Sequence, residues 1–285
     1  MPDPTDWFTE YDDGGSAFSL RLRAKLHEEQ TPFQTIAIYA TTDYGNLMVI
    51  DGCTMVSDRD NFIYHEMLAH PALFTHGAPR RVAIIGGGDC GTLREVLKHP
   101  VLDAAIQIEI DERVTRLAEQ YFPSLTVANG DPRAELRFED GLAWVRDAPA
   151  GGLDLIIVDS TDPVGPAEGL FSAPFYADCR RALGPGGLLV QQTESPLHHE
   201  QLLRATRAAM REGGFADLKT LLFPLPIYPS GWWSATLACA DARIQGFRES
   251  DVIERAFPTR YYNAEVHRAA FALPEFLRPL LADRA

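Results

Sequence analysis

The 285-residue chain has no excess of positive charge: 26 Lys and Arg residues stand against 40 Asp and Glu residues, for a formal net charge of −14. Nucleic acids and anionic membranes are held largely by Lys and Arg contacts to their phosphates, so a general affinity for either is not expected. Cationic small molecules are the more natural ligands of so acidic a protein.

Long apolar runs and clustered cysteines are also missing. No stretch approaches the roughly 18 residues needed to span a bilayer, and the acidic start from Met1 to Asp6 has no apolar core typical of a secretory signal. The four cysteines are far apart and show no metal-ligand spacing: Cys53, Cys90, Cys179 and Cys239. These features predict a cytoplasmic protein with reduced thiols and no metal site.

Two kinds of pattern divide the chain. Between residues 16 and 57, β-rich segments such as 19–23, 34–39 and 46–50 are separated by turn residues, which predicts a small antiparallel sheet. From Arg81 onward, apolar runs alternate with glycine turns and helical segments, as in an open parallel sheet with helices on both faces. We therefore predict an N-terminal β-sheet domain over residues 1–60 and a Rossmann-like catalytic domain over residues 61–285.

The second region also predicts the order of its elements. The expected parallel strands are 82–85, 104–110, 134–138, 153–158 and 188–190, and the expected helices include 61–70, 92–98, 112–122 and 200–211. Two further strand-like runs, 218–223 and 234–239, have no helix between them and predict a terminal antiparallel hairpin. By analogy of fold, this arrangement is that of the adenosylmethionine-dependent transferases rather than of dehydrogenases.

A glycine-rich loop follows the first of these strands. Gly86, Gly88 and Gly91 have the G-x-G-x-x-G spacing that lets a backbone approach a ligand closely. Glu109, 18 positions after Gly91, lies at the end of the next strand, where an acidic side chain can accept both ribose hydroxyls. Up to this point NAD, FAD and S-adenosylmethionine all remain candidate ligands.

Asp89 narrows that choice. It lies inside the loop, where a pyrophosphate or the carboxylate of S-adenosylmethionine would normally meet backbone N–H groups. A carboxylate there repels anions and attracts an ammonium group, by about 4 kcal/mol at 4 Å and an effective dielectric near 20 before desolvation. The loop therefore favours a decarboxylated adenosyl donor, the alternative being that Asp89 faces solvent or caps the helix.

A second acidic cluster follows the strand over residues 153–158. Asp159 and Asp162 lie at its carboxyl end, where open α/β sheets hold ligands, and the Pro- and Gly-rich segment 163–168 predicts a loop able to close over a ligand. With Asp89, these acids form a group that either a divalent metal or a cationic substrate explains. We favour the amine, because no His or Cys ligand pattern accompanies the acids.

The helix predicted over residues 61–70 contains two histidines that could suggest a zinc-binding site. His65 and His70 are five positions apart, whereas the H-E-x-x-H motif needs four, so the pair does not fit that site. We expect this helix to pack through Met67 and Leu68. Glu194 is a further acid at a strand end, and the adjacent histidines 198 and 199 are typical of a polar helix start.

At these residues the chain resembles the polyamine aminopropyltransferases, in order and over nearly its whole length. The segments that carry the resemblance are Trp7–Glu10, Tyr44–Asn46, Asp51-Gly52, Arg59-Asp60, Tyr64–His70, Gly86–Asp89, Glu109–Asp111, Asp131–Arg133, Asp140-Gly141, Asp159–Pro166, Pro226–Gly231, Tyr261–Asn263 and Ala270–Pro274. Two departures are small. Cys90 stands where glycine is commoner, and Ile227 stands where threonine is commoner, close enough to the acceptor end to leave the choice of amine open.

The resemblance implies a set of site residues. The donor site would use Gln34, His65, Gly86, Gly88, Asp89, Glu109, Asp140, Gly141 and Pro166, with Glu109 on the ribose, the Asp140-Gly141 turn on the adenine, and Asp89 with Asp159 on the aminopropyl nitrogen. The acceptor site would use Tyr64, Asp159, Asp162, Gln192 and Tyr228, with Trp7 as a wall. Asp159, helped by Tyr64, would act in catalysis.

The resemblance also implies a reaction: transfer of an aminopropyl group from decarboxylated S-adenosylmethionine, a co-substrate, to a diamine such as putrescine, giving spermidine and 5′-methylthioadenosine. No cofactor or metal would be needed, and the family's members are usually homodimers or homotetramers. A small-molecule methyltransferase and a polyamine-binding protein without turnover are the alternatives. Asp89 argues against the first, and the presence of Tyr64, Asp159 and Tyr228 together argues against the second.

Overall fold

Two sheets organise the chain. The structure, a computed structural model, describes residues 6–12, 14–163 and 165–281, without the side chain of Pro166. A five-stranded sheet forms first along the chain and a seven-stranded sheet second. In this part of the chain, no helix has the length and apolar character needed to cross a bilayer.

The first sheet is antiparallel, and its strands pair in chain order. They are β1 (Trp7–Tyr11), β2 (Ala17–Gln30), β3 (Thr35–Thr41), β4 (Asn46–Ile50) and β5 (Cys53–Ser57). The antiparallel sheet is confirmed, but the strand predicted over 19–23 extends to Gln30, where it pairs with Thr35. This extension is mostly solvent-exposed and polar, so it has no apolar period that would reveal a strand.

The second sheet confirms the predicted Rossmann-like class. Five parallel strands, β6 (Arg81–Gly86), β7 (Ala104–Glu109), β8 (Ala134–Phe138), β9 (Leu153–Asp159) and β10 (Leu183–Gln192), are joined by the hairpin of β11 (Asp217–Pro224) and β12 (Trp232–Cys239). The strand order is β11-β12-β10-β9-β6-β7-β8. The order reverses between β6 and β9, and ligands of such sheets bind beside the carboxyl ends at that point.

The helices of this region cover both faces of the sheet. They are α1 (Asn61–Thr75), α2 (Gly91–Leu97), α3 (Glu112–Tyr121), α4 (Gly141–Asp147), α5 (Ala173–Ala182), α6 (Glu200–Glu212), α7 (Glu249–Glu254), α8 (Ala264–Ala270) and α9 (Arg278–Leu281). The helix predicted over residues 61–70 continues through Pro71 to Thr75. Burial of Leu73 and Phe74 in the core offsets the hydrogen bond that the proline cannot donate.

The core lies on the two faces of the central strands. In β9, Leu155 and Ile157 belong to the apolar cluster under α1 and α2, whereas Ile156 and Val158 belong to the cluster under α4 and α5. All four side chains are fully buried. A strand buried on both faces shows a continuous apolar run rather than alternation, which is why this strand was predictable.

Candidate active site

The largest group of predicted site residues meets at the carboxyl ends of β6, β7 and β9. One pocket there, which we call the donor pocket because the residues expected to bind the donor line it, is lined from the second sheet by Gly86 to Asp89, Glu109, Asp140, Gly141 and Asp159. The first sheet and α1 close its other side through Gln34, Met48, Ile50, Tyr64 and His65, and the β11–β12 loop adds Ile227 and Tyr228. The pocket therefore lies at the reversal of strand order.

The glycine loop packs directly against β9. Gly86 has φ 83°, and a Cβ added to it would lie 2.3 Å from the Asp159 backbone oxygen. The Gly87 N–H donates to that same oxygen at 2.7 Å. Cys90 also adopts a left-handed conformation, φ 66°, which explains why glycine would suit its position; its thiol is buried, and burial raises its pKa to about 12.

Asp89 precedes the N-cap residue of α2, Cys90, and faces the donor pocket. Its Oδ1 accepts the Gly91 N–H at 2.7 Å, and its Oδ2 lies 3.2 Å from His65 Nε2. Burial alone would raise the Asp89 pKa, but His65 and the Gly91 hydrogen bond outweigh it and hold the pKa below its usual value. Burial lowers the His65 pKa, yet Asp89 reverses the direction, so both groups favour their charged forms.

Asp159 is held by two hydroxyl donors. Tyr64 Oη donates to its Oδ1 at 2.7 Å, and Thr92 Oγ1 donates to its Oδ2 at 2.6 Å. Burial and the nearby Asp89 carboxylate raise the Asp159 pKa, against the lowering effect of His65 and the two hydroxyls. A half-buried carboxylate with a raised pKa, at a ligand pocket, is suited to accept a proton.

Glu109 lies at the other end of the donor pocket. Its Oε1 accepts the Asp111 N–H at 2.9 Å, and burial raises its pKa to about 7. Gln34 reaches the same corner from β3's start and donates through Nε2 to Asp111 Oδ2 at 3.0 Å. This corner therefore places a carboxylate beside the glycine loop, where a ribose would lie in a nucleoside-binding site.

The Asp140-Gly141 turn completes that end. Asp140 is the N-cap of α4 and accepts the Leu142 N–H at 2.9 Å. A Cβ at Gly141 would come within 2.6 Å of Ile85 Cγ2, so glycine is required for the close approach to β6. Ile85 and Leu142 also line the pocket and provide apolar surface for a flat ring.

A second pocket adjoins the first, and we call it the acceptor pocket. The two pockets share Met55, Tyr64, Ser160, Thr161 and Tyr228. This pocket contains Asp162 and Gln192, two of the residues expected at the acceptor site, together with three acids that were not assigned to it: Glu10, Asp12 and Glu194. The two pockets therefore adjoin at Tyr64, whose hydroxyl donates to Asp159 of the donor pocket.

Acidic side chains are concentrated in the acceptor pocket. Partial burial and the adjacent Glu194 raise the pKa of Asp162 above its usual value, although the residue keeps substantial solvent exposure. Glu194 is buried, and its Oε1 accepts from Gln192 Nε2 at 3.2 Å. Its Oε2 lies 3.2 Å from His199 Nδ1 without hydrogen-bond geometry. Burial also raises the Glu10 pKa. A cationic group would stabilise the ionised forms of all three acids.

Tyr228 forms the wall between the pockets. Its hydroxyl donates to the Met55 backbone oxygen at 2.7 Å, and its ring lies 6.1 Å from the Tyr64 ring and 4.6 Å from the Trp233 ring. The neighbouring Ile227 is buried, and its N–H donates to Asp60 Oδ2 at 3.2 Å. These contacts tie the β11–β12 loop to the first sheet and fix the tyrosine over the cleft.

Two sequence-based expectations differ from the structure, and a third is not tested by it. Trp7 lies in β1 beside Arg23 and Tyr39, in a separate cleft that does not include the acceptor pocket. The side chain of Pro166 lies outside the described residues. The predicted loop 163–168 contains instead the start of a 3-10 helix, Gly165–Phe171, because so short and tight a helix forms even in a Pro- and Gly-containing segment.

Two functional candidates escaped the sequence analysis. Thr92 is one of many threonines in the sequence, and only the fold brings it to Asp159, 67 positions away. Glu10 accepts the Thr54 N–H at 2.8 Å and belongs to β1, a strand that no alternation of apolar and polar residues predicts. Glu194, by contrast, was visible as an acid at a strand end.

The two histidines of α1 point to different partners. His65 contacts Asp89, whereas His70 is buried with Nε2 3.1 Å from Glu95 Oε2 and Nδ1 3.0 Å from His99 Nε2. They do not share a site, in agreement with the spacing argument. Among the residues that the structure describes, no group of three or more His, Cys, Asp or Glu side chains is arranged to hold a metal ion.

Family models match most of the chain. Residues 61–245 match the spermine/spermidine synthase domain, and residues 6–58 match the spermidine synthase tetramerisation domain. The polyamine aminopropyltransferase of Methylococcus capsulatus is 63% identical over 284 residues, with 99% of each chain covered. That of Nitrosococcus oceani is 62% identical over 277 residues, with 97% of each chain covered.

Two solved structures of spermidine synthases are similar to this chain over nearly its whole length. A spermidine synthase in complex with the transition-state analogue AdoDATO has a TM-score of 0.94 and 36% identity, over 99% of this chain and 96% of that one. The spermidine synthase of Thermotoga maritima has a TM-score of 0.92 at the same identity and coverage. Together with the site, these matches show that the chain is an enzyme and belongs to the spermine/spermidine synthase family of polyamine aminopropyltransferases.

Proposed function

We propose that the chain transfers the aminopropyl group of decarboxylated S-adenosylmethionine to putrescine, giving spermidine and 5′-methylthioadenosine. One observation carries the proposal: two adjoining pockets, each with its own carboxylates, meet at Tyr64, whose hydroxyl donates to Asp159 of the donor pocket. Each reactant carries an amine that is cationic at neutral pH, since alkyl amines titrate near the lysine value of about 10.4. Negative side chains in both pockets favour such a pair.

The donor pocket supports a nucleoside with a bare amine tail. Glu109 would accept the ribose hydroxyls, and the turn at Asp140 would border the adenine. Asp89 and Asp159 face the place where the tail would lie, and Asp89 is held ionised by His65 and Gly91. Intact S-adenosylmethionine also carries a carboxylate on its tail, which the Asp89 carboxylate would repel, so it is the weaker donor.

The acceptor pocket supports a short diamine. One nitrogen would lie at the junction, within reach of Asp159 and Tyr64, and the other among Glu10, Asp162 and Glu194 at the far end. Buried Glu194, whose Oε2 lies 3.2 Å from His199 Nδ1, gives the distal ammonium a carboxylate acceptor. Tyr228 would pack against the methylene chain between the two nitrogens.

The proposed chemistry is an in-line displacement. The attacking amine loses its proton to Asp159, its lone pair forms the new C–N bond, and the C–S bond breaks with its electron pair returning to sulfur. The sulfonium thereby becomes the neutral thioether of 5′-methylthioadenosine. Because a sulfonium is already a good leaving group, the residues mainly align the two reactants and remove the proton, effects worth roughly 10²–10⁴-fold for the base and more for alignment.

The direct test is a product assay. The chain is incubated with isotopically labelled decarboxylated donor and, separately, putrescine, cadaverine, agmatine and spermidine, with products read by mass spectrometry. We expect labelled spermidine and 5′-methylthioadenosine in equal amounts, with the highest kcat/KM for putrescine. A higher kcat/KM for another amine would overturn the acceptor assignment, and a methylated amine from intact S-adenosylmethionine would overturn the donor assignment.

A pair of variants separates the two pockets. Glu194→Gln should raise the KM for putrescine about tenfold or more while leaving the KM for the donor unchanged, because it removes a buried charge from the far end only. Asp140→Asn should act in the opposite way, on the donor alone. Equal effects of either change on both substrates would argue against two separate pockets.

We also propose a cytoplasmic homotetramer or homodimer. Support comes from the match of residues 6–58 to a tetramerisation domain and from the four free cysteines. Sedimentation equilibrium of the purified chain would measure the assembly. A monomer at micromolar concentration would contradict it.

A further inference from the structure

Thr92 is the second residue of α2 and is completely buried. Its hydroxyl lies 2.6 Å from Asp159 Oδ2, a distance typical of a strong, charge-assisted O–H···O⁻ hydrogen bond. A threonine this early in a helix is usually explained by local backbone bonding, but this hydroxyl reaches across to the carboxyl end of β9 instead. The contact therefore needs another explanation.

The hydroxyl restrains the carboxylate on the side that Tyr64 does not reach. Tyr64 Oη donates to Oδ1 and Thr92 Oγ1 donates to Oδ2, so both oxygens are fixed while each keeps a lone pair for a ligand. A Cβ at Gly87 would lie 2.8 Å from Oδ2, so the glycine loop closes the remaining space on that side. The Asp159 carboxylate is therefore held in one rotamer and can still accept a hydrogen bond from a ligand.

Charged and titratable groups from every neighbouring element act on Asp159. Burial and Asp89 raise its pKa, while His65, Thr92 and Tyr64 lower it. Its charge in turn acts on Glu109 at the end of β7 and on Tyr228 in the β11–β12 loop. Burial and Asp89 thus oppose ionisation of Asp159, and His65 and the two hydroxyls favour it.

We propose that Thr92 is a positioning residue for the aminopropyl transfer, acting through Asp159: it orients the carboxylate and keeps it ionised until the attacking amine delivers its proton. This inference rests on the function proposed above for Asp159. A carboxylate that accepts two or three N–H bonds can lose roughly two pH units of pKa, so one such bond accounts for about one unit.

The test is the pH dependence of kcat, measured with both substrates saturating. Thr92→Val has nearly the same shape but no hydroxyl, so the acid limb of the profile should move up by about one pH unit, and kcat at pH values on that limb should fall about tenfold. Thr92→Ser restores the donor and should return the limb to its wild-type position. The affinity for 5′-methylthioadenosine should be unchanged in both variants.

Two controls make the result specific. Thr206 is likewise a buried helical threonine, in α6, and it lines neither pocket, so Thr206→Val should leave the pH profile unchanged. Thr92→Ala provides a second variant without the hydroxyl in case valine disturbs α2. Thermal unfolding of each variant shows that the folded enzyme is being assayed.

An acid limb that stays in place in both Thr92→Val and Thr92→Ala would overturn the role of Thr92, and so would an equal shift in Thr206→Val. Asp159→Asn, assayed in parallel, keeps this failure distinct from failure of the proposed function. Near-normal turnover of Asp159→Asn refutes Asp159 as the base, whereas an inactive Asp159→Asn with an unshifted Thr92→Val refutes Thr92 alone.

Discussion

Replacing Asp89 with Asn would remove one negative charge from the donor pocket and leave the loop intact, because Asn Oδ1 can still accept the Gly91 N–H. The charge discriminates between donors by repelling the carboxylate that only intact S-adenosylmethionine carries. At 4 Å and an effective dielectric of 20 this repulsion is about 4 kcal/mol. His65, 3.2 Å from Asp89, neutralises part of it, which leaves about 2 kcal/mol.

A difference of that size is roughly a 30-fold change in relative rate. The assay is competition: both donors are offered together with putrescine, and the ratio of their kcat/KM values is followed by mass spectrometry. We expect Asp89→Asn to reduce the preference for the decarboxylated donor by about 30-fold. Asp140→Asn, an acid-to-amide change at the adenine end of the same pocket, should weaken both donors equally.

An unchanged donor preference in Asp89→Asn would refute the reasoning, because the charge would then not face the donor's tail. A loss of preference in Asp140→Asn of the same size would refute it as well, since discrimination would then follow total pocket charge rather than the position of Asp89.

Three other changes have defined outcomes. Glu109, whose pKa burial raises to about 7, gains a proton as the pH falls from 8 to 6, so its ionised fraction drops about tenfold. The affinity for 5′-methylthioadenosine, measured by calorimetry, should fall by about the same factor. An affinity that does not change with pH, or a pH dependence that persists in Glu109→Gln, would contradict the ribose role. Asp159→Asn should lower kcat at least 10²-fold with 5′-methylthioadenosine affinity largely kept, as single-turnover kinetics would show. Glu66→Ala should lower the free energy of unfolding, measured by urea titration, by about 3 kcal/mol, because buried Glu66 accepts the N–H groups of residues 260, 261 and 262. A loss below about 1 kcal/mol would contradict that account.

The sequence predicts best those parts of the fold that local pattern controls. The strands β6 and β9 contain the continuous apolar runs 82–85 and 155–158 and end in the glycine loop and in Asp159, so both the sheet and the pocket edge are predictable from the sequence. The glycine spacing and Glu109 then located the donor pocket, because strand ends of a parallel sheet meet at one edge.

The parts that were missed depend on contacts between distant segments. β1 and β5 are five-residue edge or terminal strands, and α4 is a seven-residue helix, too short for a clear period. Glu10 reaches the acceptor pocket only because β1 pairs with β2 and its carboxylate accepts from Thr54. Trp7, by contrast, carried a family-like motif, but the structure directs it to another cleft.

The central claim is that the carboxylates of the cleft hold two amines, one from each reactant. A crystal structure of the chain with 5′-methylthioadenosine and putrescine tests it most directly. The account predicts one putrescine nitrogen within hydrogen-bond distance of Asp159 and the other within that distance of Glu10, Asp162 or Glu194, or bridged to one of them by a single water. Carboxylates turned into solvent, or gathered around a metal ion with the diamine elsewhere, would contradict it.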